Sequence, residues 1–488
     1  MLDLRDPGLL NTDAFLGGTF VPADDGRRTP VVDPATGQLL GEVPRLGAAE
    51  TLRAIETAER ALPSWRRLPA PERGKVLARL ATLVERHRED LALLLTSEQG
   101  KPLAEARGEI DYANSFTWFY AEESKRLYGD LVPAARTDQK LLVQPEPIGV
   151  CAAITPWNFP QAMVTRKLAP ALAAGNAVIL KPAEATPLSA LALAKLAKDA
   201  GVPDGILSVL TGAREDAERI GGTLLRDARV RKISFTGSTA VGKQLYAGCA
   251  GTVKRLSLEL GGNAPFVVFD DADLDAAVDG LLVAKFRNAG QTCVAANRIL
   301  VQRSVFDAFV ARLEDRIRGL VVGPGTAPNV QIGPLIDGRG LAKVEAHVAD
   351  ALARGGEVVT GGKRHALGRT FFEPTLLVGV TADSAMSCEE TFGPVAGLCR
   401  FDTEEEAVRL ANDTPYGLAA YFFARDVGRI HRVADALESG MVGVNTGLVS
   451  NASAPFGGVK ESGLGREGSH YGIDEWVERK YVCLGGLG

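Results

Sequence analysis

A thiolate is the strongest nucleophile a protein offers, and Cys293 stands where one can be used. It closes Asn288-Ala289-Gly290-Gln291-Thr292-Cys293, a small-residue segment behind an apolar helical stretch at 274–286. Taken alone, a free cysteine is more often a buried small hydrophobe. Two carboxylates stand out beside it. Glu259 ends an apolar run just before Gly261-Gly262, and Glu390 sits in Glu389-Glu390-Thr391-Phe392-Gly393-Pro394 ahead of another apolar run. A carboxylate at a strand end can take a proton from water; it can equally be a solvated loop acid. Asn158 lies in Thr155-Pro156-Trp157-Asn158-Phe159-Pro160. Two prolines stiffen that loop, and an amide N–H there suits an oxyanion. Trp157 and Phe159 fit the core as well. Lys181-Pro182-Ala183-Glu184 follows an apolar run, a place where an acid can accept from ribose hydroxyls in a dinucleotide fold.

One motif misleads. Gly237-Ser238-Thr239-Ala240-Val241-Gly242-Lys243-Gln244 approaches a phosphate loop. Its last position must be a hydroxyl that holds Mg²⁺, and Gln244 is not one. A nucleoside triphosphatase is therefore disfavoured. Gly237 and Ser238 at a helix start can still present N–H groups to a diphosphate, or simply form a strand–helix turn. No G-x-G-x-x-G exists, so the standard Rossmann fingerprint is absent.

The elements that must position these residues alternate. Apolar runs at 149–155, 176–180, 206–210, 230–235 and 252–260 are separated by helical patterns at 160–174, 187–199, 214–220 and 238–249. Such alternation predicts a parallel sheet with helices on both faces and ligands beyond the strands' carboxyl ends. A second alternating region holds strands at 265–269, 297–302, 395–401, 418–424 and 441–444 with helices at 274–286, 305–320 and 426–438. Earlier, residues 48–62, 71–95 and 101–128 read as helices. The seam between two α/β units falls near 260–263. The tail at 476–488 is β-prone, and frays unless a neighbour pairs with it.

Composition narrows the function classes. The 488 residues hold 55 Lys+Arg against 60 Asp+Glu, a net charge of −5, so no basic excess exists to track nucleic acid. No apolar run reaches the length of a membrane span, and no secretory leader is evident at Met1-Leu2-Asp3-Leu4-Arg5-Asp6. Six cysteines without C-x-x-C, and five histidines without a ligand spacing, favour a reducing cytoplasm and no metal site.

Together the motifs resemble the aldehyde dehydrogenase superfamily over essentially the whole chain. The resemblance is carried by Pro156-Trp157-Asn158-Phe159-Pro160, Phe235-Thr236-Gly237-Ser238, Leu258-Glu259-Leu260-Gly261-Gly262, Gly290-Gln291-Thr292-Cys293 and Glu390-Thr391-Phe392-Gly393-Pro394. Lys285-Phe286-Arg287-Asn288, Asn445-Thr446-Gly447-Leu448-Val449-Ser450 and Ser462-Gly463-Leu464-Gly465-Arg466-Glu467-Gly468 are similar to the succinate-semialdehyde branch, with the glutarate-semialdehyde enzymes as near neighbours.

The resemblance implies a Rossmann-like cofactor domain at 1–130 and 149–260, a catalytic domain at 261–457, and a small β oligomerisation arm at 131–148 and 471–488. Within that arm, 141–143 and 481–484 are expected to cross between subunits of a homodimer or homotetramer. It makes Cys293 the nucleophile, Glu259 the general base and Asn158 the oxyanion donor, with the Cys293 N–H. Trp157, Lys181, Glu184, Gly237, Ser238, Leu260, Glu390 and Phe392 would line the cofactor. Arg166, Arg287 and Ser450 would bind a substrate carboxylate. Glu184 would repel a 2′-phosphate, so NAD is expected to be preferred, with NADP possible. Relatives with a redox switch carry a second cysteine two residues after the nucleophile; here that residue is Ala295. Two other classes stay open: acyl transfer to coenzyme A from the same cysteine, and a catalytically silent cofactor-binding structural protein.

Overall fold

The computed structural model describes residues 2–487. Its first sheet has eight strands, in the order Thr19–Val21, Ala14–Leu16, Leu207–Val209, Ala177–Lys181, Val150–Ile154, Val230–Thr236, Arg255–Glu259, Gly463–Leu464. The five central strands are parallel, as the alternation predicts. The flanking strands at both edges run antiparallel, so the sheet is mixed. Chain order reverses between Val150–Ile154 and Val230–Thr236, the crevice position where open α/β sheets take ligands. Register then lines up the working ends: Ile154 pairs with Lys181 and with Phe235, and Thr236 with Glu259.

The helix Ala162–Ala174 follows the first of these strands and is buried along its whole length. Its composition is apolar except for Thr165, Arg166 and Lys167, so it lies in the interior and must bring two cations with it. Gly175 ends it in the left-handed region, with its N–H on the Ala171 carbonyl.

The second sheet has seven strands, in the order Glu357–Thr360, Thr375–Val378, Val395–Phe401, Ala296–Gln302, Ala264–Val268, Ala419–Phe423, Met441–Val444. All its pairings are parallel except the first. Ala264 pairs with Ala296, which sets the turn at 260–263 against the segment carrying Cys293.

Some elements depart from the sequence reading. The stretch 71–95 is two helices, Ala70–Arg86 and Arg88–Gln99, parted where His87 leaves helical angles. The second opens with Glu89 and Asp90, and Asp90 accepts the Arg5 and Asp6 N–H groups at 2.9 Å each. Acids at a helix start favour a fresh N-terminus there. The helices Gly338–Ala353 and Glu404–Asn412 and the strands Glu357–Thr360 and Thr375–Val378 fall where no element was expected.

Through Leu484 the tail is paired. Val477–Leu484 pairs along its length with Lys140–Pro147, which also pairs with Asp130–Val132. Tyr481 faces Val143 and Cys483 faces Leu141, so the two pieces expected at a subunit crossing meet within one chain. No helix among the described residues is long and apolar enough to cross a membrane.

Candidate active site

Three strand ends and one irregular turn build the site. The loop after Val150–Ile154 buries Asn158, whose Nδ2 donates to the Gln291 carbonyl at 3.0 Å. An amide nitrogen carries two hydrogens, so the second remains for a ligand. The Asn158 carbonyl accepts from Lys101 Nζ at 2.8 Å and from Asn288 Nδ2 at 2.9 Å.

The turn before Cys293 is strained. Asn288 and Ala289 have φ near +53° and Gly290 has +74°. Left-handed geometry costs about 1–2 kcal/mol per non-glycine residue, so the surroundings must enforce it. Asn288 is tied by its N–H to Glu105 at 2.7 Å and by its Oδ1 to Gln99 Nε2 at 3.0 Å. A Cβ on Gly290 would lie 2.1 Å from the Gly393 carbonyl oxygen, and one on Gly262 would lie 2.5 Å from the Cys293 carbonyl oxygen. Glycine at both positions lets the loops close around the thiol. Among the described residues no acceptor takes the Cys293 N–H.

Cys293 lines a cavity of about 260 Å³ with Trp157, Asn158, Gly237, Ser238, Leu260, Glu390 and Phe392. Eight sequence-singled residues thus share one space. Trp157 and Phe392 meet edge to face at 5.5 Å, and Phe392 itself has φ +56°. Ser238 caps the helix Thr239–Cys249, its hydroxyl accepting from Val241 N–H at 3.4 Å. Glu390 accepts from Gly262 N–H at 3.5 Å. Burial pushes its carboxyl up to about 7, against the pull of Lys343, that N–H and Lys285. Burial likewise pushes the Cys293 thiol up to about 12; Arg166 and Arg287 pull it down, while Glu390 and Glu259 add to the rise.

Glu259 lies outside that lining. It is 2% exposed and neither carboxylate oxygen has a hydrogen-bond partner. Burial and the charge of Glu467 hold its carboxyl well above the usual range, against Arg166, Lys167 and Arg466. Glu467 itself is pinned: Arg166 Nε donates to it at 2.7 Å and Lys167 Nζ reaches its other oxygen. Burial opposes its ionisation, but the two cations prevail and lower its pKa.

Arg166 stacks 4.1 Å over Phe456. The buried Tyr112 hydroxyl faces Arg166 and Ser450 and feels the charge of Arg287. Arg287 stands 5.3 Å over Phe159, with a buried Nε that has no partner, and borders a larger cleft of about 790 Å³ shared with Glu105 and Phe286. Lys181 and Glu184 lie apart from the Cys293 cavity. Lys181 is buried, its ammonium donating to the Pro182 carbonyl at 3.2 Å; burial lowers its pKa against Glu184 and Asp216.

Sequence reasoning missed Lys343, Tyr112 and Glu467 as site residues. Lys343 and Tyr112 lie on helices where a single polar residue carries no signal. Glu467 stood inside a quoted motif but received no role. Only the folded chain shows that it neutralises two interior cations.

Residues 20–482 match the model of the aldehyde dehydrogenase family. A glutarate-semialdehyde dehydrogenase of Pseudomonas aeruginosa is 57% identical over 486 residues, covering 100% of both chains. A 3-sulfolactaldehyde dehydrogenase of Pseudomonas putida is 56% identical, again over 100% of both. An NADP(+) succinate-semialdehyde dehydrogenase of Escherichia coli is 56% identical over 99% of this chain and 100% of its own. The crystal structure of succinate-semialdehyde dehydrogenase from Burkholderia pseudomallei superposes with a TM-score of 0.98 at 58% identity, over 99% of this chain and 100% of that one.

Proposed function

The chain belongs to the aldehyde dehydrogenase family, and from that premise we propose that it oxidises a semialdehyde bearing a terminal carboxylate, succinate semialdehyde first, to the dicarboxylate. The single observation behind this choice is a pair of buried donors left without partners, the Tyr112 hydroxyl and Arg287 Nε, with Arg166 and Ser450 facing that hydroxyl. Arg287 stacks over Phe159, the residue next to Asn158, and its charge and that of Arg166 oppose the rise that burial gives the thiol's pKa. Guanidinium forks match a carboxylate, and a buried hydroxyl without a partner calls for an acceptor.

The Cys293 thiol gives up its proton to solvent, and the thiolate sulfur attacks the aldehyde carbon. The free hydrogen of Asn158 Nδ2 and the Cys293 N–H receive the alkoxide; one such donor is worth about 3 kcal/mol. A bound NAD or NADP supplies the hydride acceptor. The site residues fit such a group: a helix start at Ser238 for its diphosphate, Glu390 for ribose hydroxyls, and aromatic walls at Trp157 and Phe392. A thioester then rests on Cys293, and Glu259 takes the proton of the water that hydrolyses it. No hydrogen bond restrains the Glu259 carboxylate, so it can turn towards the cavity. NAD is proposed as the preferred cofactor through Glu184, with NADP as the second; relative kcat/KM for the two decides it. The domain division, the subunit-bridging arm and a homodimer or homotetramer complete the reading.

The substrate test is a steady-state panel of succinate semialdehyde, glutarate semialdehyde, 3-sulfolactaldehyde and butanal. The charged four-carbon aldehyde is expected to exceed butanal in kcat/KM by ~100-fold, and Arg287→Gln should erase ~10–100-fold of that margin. Equal values for charged and uncharged aldehydes would remove the anion site. A sulfonate preferred over both carboxylates would reassign the substrate.

A further inference from the structure

Lys101 occupies the turn between the helices Arg88–Gln99 and Leu103–Glu123 and is 2% exposed. An ammonium buried this deeply is costly unless its donors are filled. Its Nζ donates to Glu109 Oε2 at 2.5 Å and to the Asn158 carbonyl at 2.8 Å, and sits 3.9 Å from the Phe159 ring centre. The other oxygen of Glu109 accepts the Gln161 and Ala162 N–H groups at 2.9 and 3.3 Å. Ammonium and carboxylate thus grip the loop 155–162 on both sides of Pro160.

The same segment reaches the second loop. Asn288 Nδ2 donates to the same Asn158 carbonyl at 2.9 Å, and its Oδ1 accepts from Gln99 Nε2 at 3.0 Å. Gln99 Oε1 in turn accepts the Lys101 N–H at 3.0 Å. A carbonyl has two lone pairs, and both on Asn158 are taken, one from each side of the clasp. Its peptide plane is therefore fixed, and with it the direction of the side chain it bears. A lysine needed only for charge balance with Glu109 would be replaceable, with its partner, by apolar residues. The bond to Asn158 is what an apolar pair would not supply.

We infer that Lys101, braced by Glu109, is a positioning residue for the oxyanion site: its ammonium fixes the main chain of Asn158, while the link through Gln99 and Asn288 to the turn before Cys293 is made by its main-chain N–H and does not depend on the side chain. The inference rests on the oxyanion role proposed for Asn158 and deepens it.

The test uses the full-length enzyme as Lys101→Met, Glu109→Gln, Asn158→Ala and the double variant Lys101→Met/Asn158→Ala. Lys101→Met is expected to lower kcat ~10–100-fold with KM for the semialdehyde within ~3-fold, since misplacement costs rate more than binding. If Lys101 acts through Asn158, the double variant is no slower than Asn158→Ala by more than ~3-fold. Alkylation of Cys293 by iodoacetamide forms no alkoxide, so its rate should be unchanged in Lys101→Met. Glu109→Gln keeps the shape and should show a smaller fall of the same kind; it carries the comparison if Lys101→Met does not fold. Additive losses in the double variant, alkylation slowed in step with turnover, or wild-type kcat in both single clasp variants would overturn the inference. Wild-type kcat in Asn158→Ala would instead overturn the oxyanion reading on which it rests.

Discussion

Glu259 is where function and stability conflict most directly. Its raised pKa means that the folded chain holds a proton at pH values where the unfolded chain, near 4.5, has released it. The folded state then binds more protons, so stability falls as pH rises from about 4.5 through the folded-state pKa. Glu259→Gln cannot ionise and escapes this loss. Its unfolding free energy is expected to exceed wild type's by a margin that grows from pH 5 to pH 8, on the order of 1–3 kcal/mol at the upper end, read as a rising Tm difference. The same variant should lose ~10²–10⁴-fold in kcat yet form about one reduced nicotinamide per Cys293 in the first turnover, because in the proposed mechanism only hydrolysis needs the base. A missing burst would place Glu259 in the first half-reaction. As a candidate base this residue was legible from its place before Gly261-Gly262. Its orientation was not, because the groups that surround it, Glu467 and Arg466, are some 200 positions away in sequence.

At the level of elements, the nucleophile turn is legible as a small-residue segment but not as a left-handed one. The pattern Asn288-Ala289-Gly290 carries one glycine where three residues take positive φ. Of the other two, Asn288 is held there by Glu105 and Gln99, contacts no local pattern reveals. Gly290→Ala tests how rigid this arrangement is. The added methyl would meet the Gly393 carbonyl oxygen at 2.1 Å with φ at +74°, so one of the two loops must shift. More than ~2 kcal/mol of stability and more than tenfold in kcat are expected to go, read by thermal unfolding and steady-state assay. Wild-type values for both would mean that the 389–394 loop yields easily. The parallel strands were legible for a different reason: most are short runs rich in apolar residues, bounded by helical periodicity. The strands Glu357–Thr360 and Thr375–Val378 were missed because each is only four residues long, the first lies at the surface, and the second is flanked by Pro374 and Gly379.

For the molecule as a whole, the sequence carries the two α/β layers but says little about where the three-stranded arm ends. Val477–Leu484 covers one side of Lys140–Pro147, and Asp130–Val132 covers part of the other. That leaves two strand edges unpaired, Leu131 72% exposed and Tyr481 60% exposed. Unpaired edges with large apolar side chains invite another chain to add on, and this supports the proposed assembly through the arm. Sedimentation of the full-length chain is expected to give a dimer or tetramer at micromolar concentration. Leu131→Glu places a charge on one edge without touching either sheet or the Cys293 cavity, and Tyr481→Glu does so on the other. If assembly runs through the arm, at least one of these lowers the sedimentation coefficient towards the 51.6 kDa monomer while a folded, cooperative thermal transition persists. A monomeric wild-type chain, or two edge variants that sediment as wild type does, would move the subunit interface elsewhere.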